Sequence, residues 1–166
     1  MRSFSALVLI FAVLYFPAPA FSISSGEPAP LFELSDLQGR KHTLAEYAGK
    51  VVLINFWASW CGECIIEMPS LNAIHTQFSN RGLAVLGVTV DRKPEDALAA
   101  AKKTHISFPI LLDARGEVFM KKYAVVGLPT TIVLDRKGVI REVMIGSQDF
   151  QEKGIKAMVA SLLNEK

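Results

Sequence analysis

Two cysteines separated by two residues, Cys61 and Cys64, are the side chains in this sequence best suited to chemistry. Residues i and i+3 of a helical turn lie on one side, so a helix that begins here would bring both sulfur atoms within reach of a disulfide bond. The N-terminus of a helix also favours negative charge. We therefore expect Cys61 to be the exposed attacking thiolate and Cys64 the deeper thiol that resolves a mixed disulfide.

Other uses of this cysteine pair are less well supported. A zinc site needs four ligands, but the histidines (His42, His75 and His105) are scattered and there is no second cysteine pair. A disulfide that closes so short a loop constrains the unfolded chain too little to serve as a structural link. The sequence therefore favours a redox-active disulfide without a metal, and we expect no cofactor.

An alternation of strands and helices is predicted to position the pair. The nearly continuous apolar runs 51–56 and 83–90 are typical of parallel strands that helices cover on both faces. Apolar residues at helical spacing then follow Cys61 as far as Ser79. The remaining predicted elements are a short hairpin (32–34 and 40–44), three helices (94–103, 117–123 and 150–164), a strand (108–112) and an antiparallel hairpin (130–134 and 139–145). This order predicts a largely parallel sheet between helices, with one antiparallel edge.

The first twenty residues are predicted to be a secretory signal peptide. Arg2 precedes an apolar run over residues 6–16, and the small residues 18–20 follow as a cleavage pattern. The run is shorter than the ~20 residues that span a bilayer, and an uncleaved anchor is the alternative. Residues 21–30 are predicted to be a linker and residues 31–166 a single domain. Export would place the cysteines where a disulfide persists.

Composition excludes some partners. The formal net charge is +2, and no basic stripe with interleaved aromatic residues is present, so we expect no nucleic-acid partner. A chain with 51% hydrophobic and 20% charged residues is typical of a globular domain.

Four segments of the chain resemble the thioredoxin superfamily and, within it, the TlpA/ResA-like branch of thiol–disulfide interchange proteins. They are the cysteine segment 57–64 (WASWCGEC), Glu67-Met68-Pro69, residues 88–91 (VTVD) and residues 126–131 (VGLPTT). The resemblance extends over about residues 28–163. It implies an α/β fold, a thioredoxin-like three-layer α/β/α sandwich whose mixed sheet has an N-terminal β-hairpin and a βα insertion.

The resemblance also implies roles for individual residues. Pro129 matches the cis-proline that lies opposite the cysteines in relatives, and the backbone of Leu128 matches the position that pairs with an extended substrate. The sequence alone would favour an ordinary proline at the start of a strand. Glu67, one turn after Cys64, matches an acidic residue near the cysteines, where it could exchange protons with that thiol. A helix carboxylate that faces solvent is the alternative.

Residues around the cysteines are expected to form the substrate-binding surface, namely Trp60, Gly62 and Glu63. Trp57 is expected to pack beside them, although core packing explains it equally well. Glu63 stands where relatives often have proline. A carboxylate beside Cys61 should oppose its ionisation and bias the couple toward reduction of substrates.

Asn55 is a second departure from thioredoxin, which has a buried aspartate at the matching position. The amide cannot accept a proton, so the resemblance shifts the role of base toward Glu67. The implied function is reduction of disulfides in exported proteins, including the cysteines that receive haem in c-type cytochromes. A membrane partner would supply electrons, because the extracytoplasmic space lacks a reducing pool. We expect a periplasmic monomer, either soluble after signal cleavage or tethered by its N-terminal segment.

Three other functions are alternatives to disulfide reduction. A disulfide oxidase or isomerase would differ in its redox potential, which the sequence does not give. A thiol peroxidase would need proline seven residues and Thr or Ser three residues before the reactive cysteine, where this chain has Ile54 and Ala58. A non-enzymatic metal-binding module of the same fold, such as a copper-delivery protein, would space its cysteines by three residues and add a histidine ligand, which the sequence does not match.

Overall fold

The computed structural model describes residues 23–165, and the predicted signal peptide lies outside this part of the chain. The strands in it are β1 (Glu33–Ser35), β2 (Lys41–Thr43), β3 (Val51–Trp57), β4 (Leu83–Thr89), β5 (Ile110–Leu112), β6 (Thr130–Leu134) and β7 (Ile140–Ile145). The α-helices are α1 (Gly62–Phe78), α2 (Pro94–Lys103) and α3 (Lys153–Asn164). Short 3-10 turns span Leu44–Tyr47 and Ser79–Arg81, and a π-helical turn spans Glu117–Lys122. Across residues 23–165, we find no helix with the length and apolar character needed to cross a bilayer.

The main sheet has the strand order β5-β4-β3-β6-β7. Strands β3, β4 and β5 run parallel, while β6 pairs antiparallel with both β3 and β7. Every residue of β3 and of β4 is buried, as their continuous apolar runs predict for central strands. Strands β1 and β2 form a separate antiparallel hairpin. The predicted N-terminal hairpin and mixed sheet are therefore present. Between β4 and the β6–β7 hairpin the chain forms α2 and then β5, which adds a strand beside β4.

The two faces of the sheet are covered differently. Helices α1, α2 and α3 all contribute to the apolar cluster on one face, including Leu71, Ala97 and Leu162. The opposite face is covered by the N-terminal segment, the 3-10 turn and the residues around the π-helical turn, including Phe32 and Tyr123. The predicted thioredoxin-like α/β fold is confirmed, with no α-helix in the second outer layer within the described residues.

Glycine at position 87 allows Trp57 to lie inside the core. A Cβ atom on Gly87 would be 3.0 Å from Cε2 of Phe108 and 3.2 Å from Nε1 of Trp57. Both aromatic side chains are buried, so neither has free space into which to move. The glycine therefore leaves the space that is filled by Trp57, the last residue of β3, from which the cysteine segment continues.

The start of the packed domain differs from the predicted boundary at residue 31. The N–H groups of Gly26 and Ala29 donate to the carbonyls of Ile140 and Gly138, at 2.7 and 2.9 Å. Ala29 is buried and belongs to the apolar cluster on the second face. Residues 26–29, which composition suggests to be part of a linker, thus extend the sheet beside β7, because their backbone groups find partners on that open edge.

Helix α3 begins at Lys153 rather than near residue 150. The residues before it lie against α1: the N–H of Phe150 donates to Oγ of Ser70 at 3.2 Å, and the Phe150 side chain is fully buried. This loop, residues 146–152, reaches the cysteine-bearing helix and contributes to the site described next.

Candidate active site

The cysteine segment lies where β3 ends and α1 begins. Cys61 is the N-cap residue of α1, and its Sγ accepts a hydrogen bond from the N–H of Cys64 at 3.2 Å. A polar atom at this position pairs with an N–H that the first helical turn leaves free. The sequence thus places Cys61 at the helix end that favours negative charge.

Cys61 and Cys64 form a disulfide, with their Cα atoms 5.3 Å apart. Cys64 is fully buried, while Cys61 is partly exposed. Only the sulfur of Cys61 is therefore open to attack from outside the protein. Gly62 and Glu63 are exposed on the first turn of α1.

The two tryptophans have different surroundings. Trp57 is fully buried in the core cluster, whereas Trp60 is 71% exposed beside Cys61. Core packing accounts for Trp57, the alternative that the sequence left open. Trp60 lies at the surface where a substrate would approach.

Pro129 is preceded by a cis peptide bond, as the resemblance implied. The residue after it, Thr130, pairs with Phe56 near the end of β3, which brings the proline to the same edge of the sheet as the cysteines. Leu128 lines a surface groove of about 540 Å³ together with Trp60 and Cys61. Leu128 therefore lies at the wall of the space in front of the reactive sulfur.

Glu67 is buried, and the solvent-facing alternative is wrong: the residue is only 2% exposed. Its Oε1 accepts a hydrogen bond from Nδ2 of Asn55 at 2.7 Å, and its Oε2 accepts one from the N–H of Gln148 at 3.0 Å. Burial raises the pKa of Glu67 from 4.5 to about 7, although both hydrogen bonds favour the charged form. The carboxyl group can therefore gain or lose a proton near neutral pH.

Asn55 links helix α1 to strand β6 through hydrogen bonds of its side chain. Its Nδ2 also donates to Oγ1 of Thr131 at 2.9 Å, while its Oδ1 has no partner among the described residues. The sequence indicates no role for Thr131 or Gln148. Thr131 lies within a segment that supports the resemblance, but no sequence signal links Gln148 to a residue 81 positions earlier.

Asp91 is the buried residue that fixes the loop before the cysteines. It accepts hydrogen bonds from the N–H and the hydroxyl of Ser59, at 2.9 and 2.8 Å, and from the hydroxyl of Thr89 at 2.7 Å. The side chain is 3% exposed. Asp91 and Thr89 belong to the segment VTVD, which sequence analysis used only as part of the resemblance. Three bonds to one carboxylate give this loop a defined position.

The three histidines do not meet around the cysteines. Among residues 23–165, no three side chains of the His, Cys, Asp or Glu type are grouped as metal ligands would be. His42 instead lies between Oδ2 of Asp36 and the hydroxyl of Tyr47, at 2.8 and 2.7 Å, within the N-terminal hairpin region.

Comparisons with known proteins agree with this site. The model of the AhpC/TSA family matches residues 25–143. The thiol-disulfide oxidoreductase ResA of Geobacillus thermodenitrificans is 34% identical over 152 residues, which is 89% of this chain and 87% of the relative. The thioredoxin-like protein YneN of Bacillus subtilis is 39% identical over 133 residues, 78% of this chain and 76% of the relative.

A solved structure extends the comparison to the fold. The crystal structure described as a thiol:disulfide interchange protein DsbE from Chlorobium tepidum superposes with a TM-score of 0.79 at 28% identity, covering 86% of this chain and 99% of that chain. The TlpA/ResA-like resemblance and the expected enzyme class are thereby confirmed. The chain belongs to the AhpC/TSA family and is a thioredoxin-like thiol–disulfide oxidoreductase similar to ResA, with its redox-active pair at Cys61 and Cys64.

Proposed function

We propose that this oxidoreductase works as a reductase of disulfide bonds in proteins outside the cytoplasm. The observation that best supports this direction is the exposed carboxylate of Glu63 between the two cysteines, on the first turn of α1. A negative charge there opposes formation of the Cys61 thiolate. A less stable thiolate makes the dithiol form a better electron donor.

The reaction balances within the cysteine pair and the substrate disulfide. The Cys61 thiolate attacks one substrate sulfur, the substrate S–S bond breaks, and its other sulfur leaves as a thiolate. Cys64 then attacks Cys61 in the mixed disulfide and releases the second substrate thiol. Two electrons pass to the substrate, and the protein ends as the disulfide. The proton of Cys64 passes to the second leaving sulfur by way of Glu67, and the first leaving sulfur takes from water the equivalent of the proton that Cys61 released on forming its thiolate.

Glu67 is proposed to exchange a proton with Cys64 during the second step. The two residues are three positions apart on α1 and are both buried, so they share the inner face of the helix. A group with a pKa of about 7 can accept the Cys64 proton and release it again at physiological pH. Asn55 and Gln148 hold the carboxyl group while it changes charge.

The substrate-binding residues are proposed to be Trp60, Gly62, Glu63, Leu128 and Pro129. Trp60 and Leu128 line one groove with Cys61, and Gly62 and Glu63 are exposed beside it. An extended substrate chain that pairs with the backbone at Leu128 would present its disulfide to Cys61 with little selection by side chains.

The cellular setting is proposed from the N-terminal sequence. Residues 1–20 would direct export, the residues between them and the sheet-paired segment 26–29 would form a short connection, and the domain would act in the periplasm, either free or tethered by the leader. Oxidised protein would be reduced again by a membrane donor that presents a dithiol on the outer side. We propose that the protein acts as a monomer and that its substrates include haem-receiving cysteines of c-type cytochromes.

The reduction potential provides the deciding measurement. The protein is equilibrated with defined thiol–disulfide buffers, and the Cys61–Cys64 state is read by alkylation and mass spectrometry. We expect a potential closer to that of thioredoxin, about −270 mV, than to that of DsbA, about −120 mV. The reduced protein should also reduce a peptide disulfide of the Cys-x-x-Cys-His type in a one-to-one reaction. A potential near that of DsbA, with rapid oxidation of the reduced peptide, would contradict the reductase function and favour an oxidase.

A further inference from the structure

Exposed apolar side chains are concentrated around Cys61. Trp60 is 71% exposed, Met120 56% and Val126 88%, and all three line the groove that contains Cys61. Met120 lies over Gly116, where an added Cβ would be 2.7 Å from its Cε. Apolar side chains grouped at a surface in this way are typical of a site that contacts a partner.

Two arginines line the same groove, and the sheet register explains why. Thr89 of β4 pairs with Leu112 of β5 in parallel register, so the chain leaves both strands at the same edge of the sheet. Arg92 lies three residues after Thr89, and Arg115 lies three residues after Leu112. Both arginines are exposed and line the groove.

The loops that hold the arginines are fixed by buried carboxylates. Asp91, directly before Arg92, is held by Ser59 and Thr89 as described above. Asp113 accepts hydrogen bonds from the N–H groups of Val118 and Phe119, at 3.0 and 2.8 Å. Both carboxylates are 3% exposed and are therefore closed to an external partner.

The arginines keep most of their charge available. Neither forms an ion pair among the residues that the structure describes. The carboxylate close to Arg115 is Glu117, which binds Nζ of Lys121 at 2.9 Å; this contact, with a smaller contribution from Arg115, lowers the pKa of Glu117. Among the described residues, no carboxylate side chain lines the groove itself, although Glu63 is exposed beside Cys61 and Glu117 lies close to Arg115. The groove is therefore apolar and contains two guanidinium groups that are not engaged in ion pairs.

We propose that the groove selects substrates whose disulfide is flanked by an acidic residue, with Arg92 and Arg115 contacting that carboxylate while Trp60, Met120 and Val126 contact apolar neighbours. The inference rests on the proposed reductase function and adds the class of substrate sequence. Backbone pairing at Leu128 does not discriminate between substrate side chains, whereas two guanidinium groups distinguish a carboxylate from an ammonium group.

Three peptides test this selection, each with one internal disulfide and identical except for Glu, Gln or Lys next to the first cysteine. Pre-reduced protein is mixed with each peptide, and the single-turnover rate is divided by the rate with dithiothreitol, which corrects for the intrinsic reactivity of each disulfide. We expect the normalised Glu-to-Lys ratio to be about three to ten at low salt. The ratio should approach one at about 0.5 M salt, because ions screen exposed charges.

Arginine variants identify the origin of the ratio. The Glu-to-Lys rate ratio should fall toward one in the Arg92→Gln/Arg115→Gln double variant. It should stay unchanged in the control variant Lys137→Gln, which removes an exposed charge from the β6–β7 turn at the other end of the sheet.

The rates at which anionic iodoacetate and neutral iodoacetamide alkylate Cys61 give a second readout. Their ratio should fall in the double variant if the arginines act on the incoming anion, whereas an effect on the thiolate alone would change both rates equally and would contradict the proposal.

The outcomes separate this proposal from the function on which it rests. Reduction of all three peptides at one normalised rate, or a ratio that survives in the double variant, would overturn the acidic preference and leave the reductase function intact. Reduction of none of them would overturn both.

Discussion

The carboxylate of Asp91 binds Ser59 twice, through the backbone N–H at 2.9 Å and through the hydroxyl at 2.8 Å. Ser59 stands two residues before Cys61, so this pair connects the end of β4 to the loop that carries the reactive sulfur. We expect a loop held in this way to keep Cys61 close to Cys64 in the reduced protein as well. Such preorganisation favours closure of the disulfide ring.

Ser59→Ala should therefore make the disulfide less favourable and raise the reduction potential. The lost hydroxyl bond should also lower the free energy of unfolding by about 1 kcal/mol. Ser107→Ala is a matched control, because that hydroxyl donates to Oδ1 of Asn72 at the same distance, 2.8 Å, away from the cysteines. Equal potentials in wild type and Ser59→Ala would show that the bond stabilises the fold without positioning the sulfur.

Glu67→Gln should remove a pH dependence of stability from the oxidised protein. The pKa of Glu67 is raised to about 7 in the folded state, so the folded protein binds the proton more tightly than the unfolded chain does. Protonation of Glu67 therefore adds its full contribution to the free energy of unfolding below about pH 4.5, and this contribution is lost as the pH rises through 7. The loss is at most about 3.5 kcal/mol, since one pKa unit corresponds to about 1.4 kcal/mol.

Urea unfolding at pH 5 and pH 8 measures this effect. The stability of the wild type should fall between the two values relative to Glu67→Gln. Glu142→Gln, at an exposed carboxylate on β7, should behave like the wild type. The same pH slope in wild type and Glu67→Gln would contradict the assignment of a proton to this buried group.

Asn55→Asp should destabilise the protein more at pH 8 than at pH 5. The substitution replaces the donor that lies 2.7 Å from Glu67 with a second carboxyl group. At pH 5 one shared proton can relieve the repulsion, but at pH 8 two charges would be buried together. Chemical unfolding of the oxidised variant at both pH values tests this, and an equal loss at each would rule out charge coupling between the two positions.

Glu63→Gln should allow Cys61 to ionise at lower pH and should raise the reduction potential. The substitution removes a negative charge from the first helical turn and keeps the length of the side chain. The rate of Cys61 alkylation, measured against pH in the reduced protein, gives the midpoint pH at which half of Cys61 is ionised. Glu142→Gln is the control for net charge. An unchanged or higher midpoint would remove the electrostatic basis for the reductase direction.

Local patterns predicted the elements that hold the cysteines, because a buried strand, a turn and a helix are encoded within about 30 consecutive residues. The sequence allows either a buried or an exposed Glu67, yet it contains a signal for burial: with Cys64, Leu71 and Ile74, Glu67 occupies one stripe of α1 at spacings of three and four residues. A charged residue on that stripe has to enter the core with partners.

The partners themselves could not be predicted. Gln148 reaches Glu67 through its backbone N–H, which every residue except proline has, so its identity gives no signal. The pairing of residues 26–29 with the edge beside β7 depends likewise on main-chain groups. These residues belong to the stretch 22–30, whose small, polar and proline-containing composition indicates a linker, because composition gives no information on the presence of an open strand edge nearby.

The positions of Arg92 and Arg115 have a consequence for how such a protein could change over evolution or by engineering. Both arginines project from loops whose shape depends on the aspartates beside them, Asp91 and Asp113, and neither arginine belongs to the core. On the proposed selection, exchanging them for neutral or acidic residues would alter which clients are admitted while leaving the cysteine pair and the core packing in place. One scaffold could in this way be retuned to proteins of opposite charge by two surface substitutions.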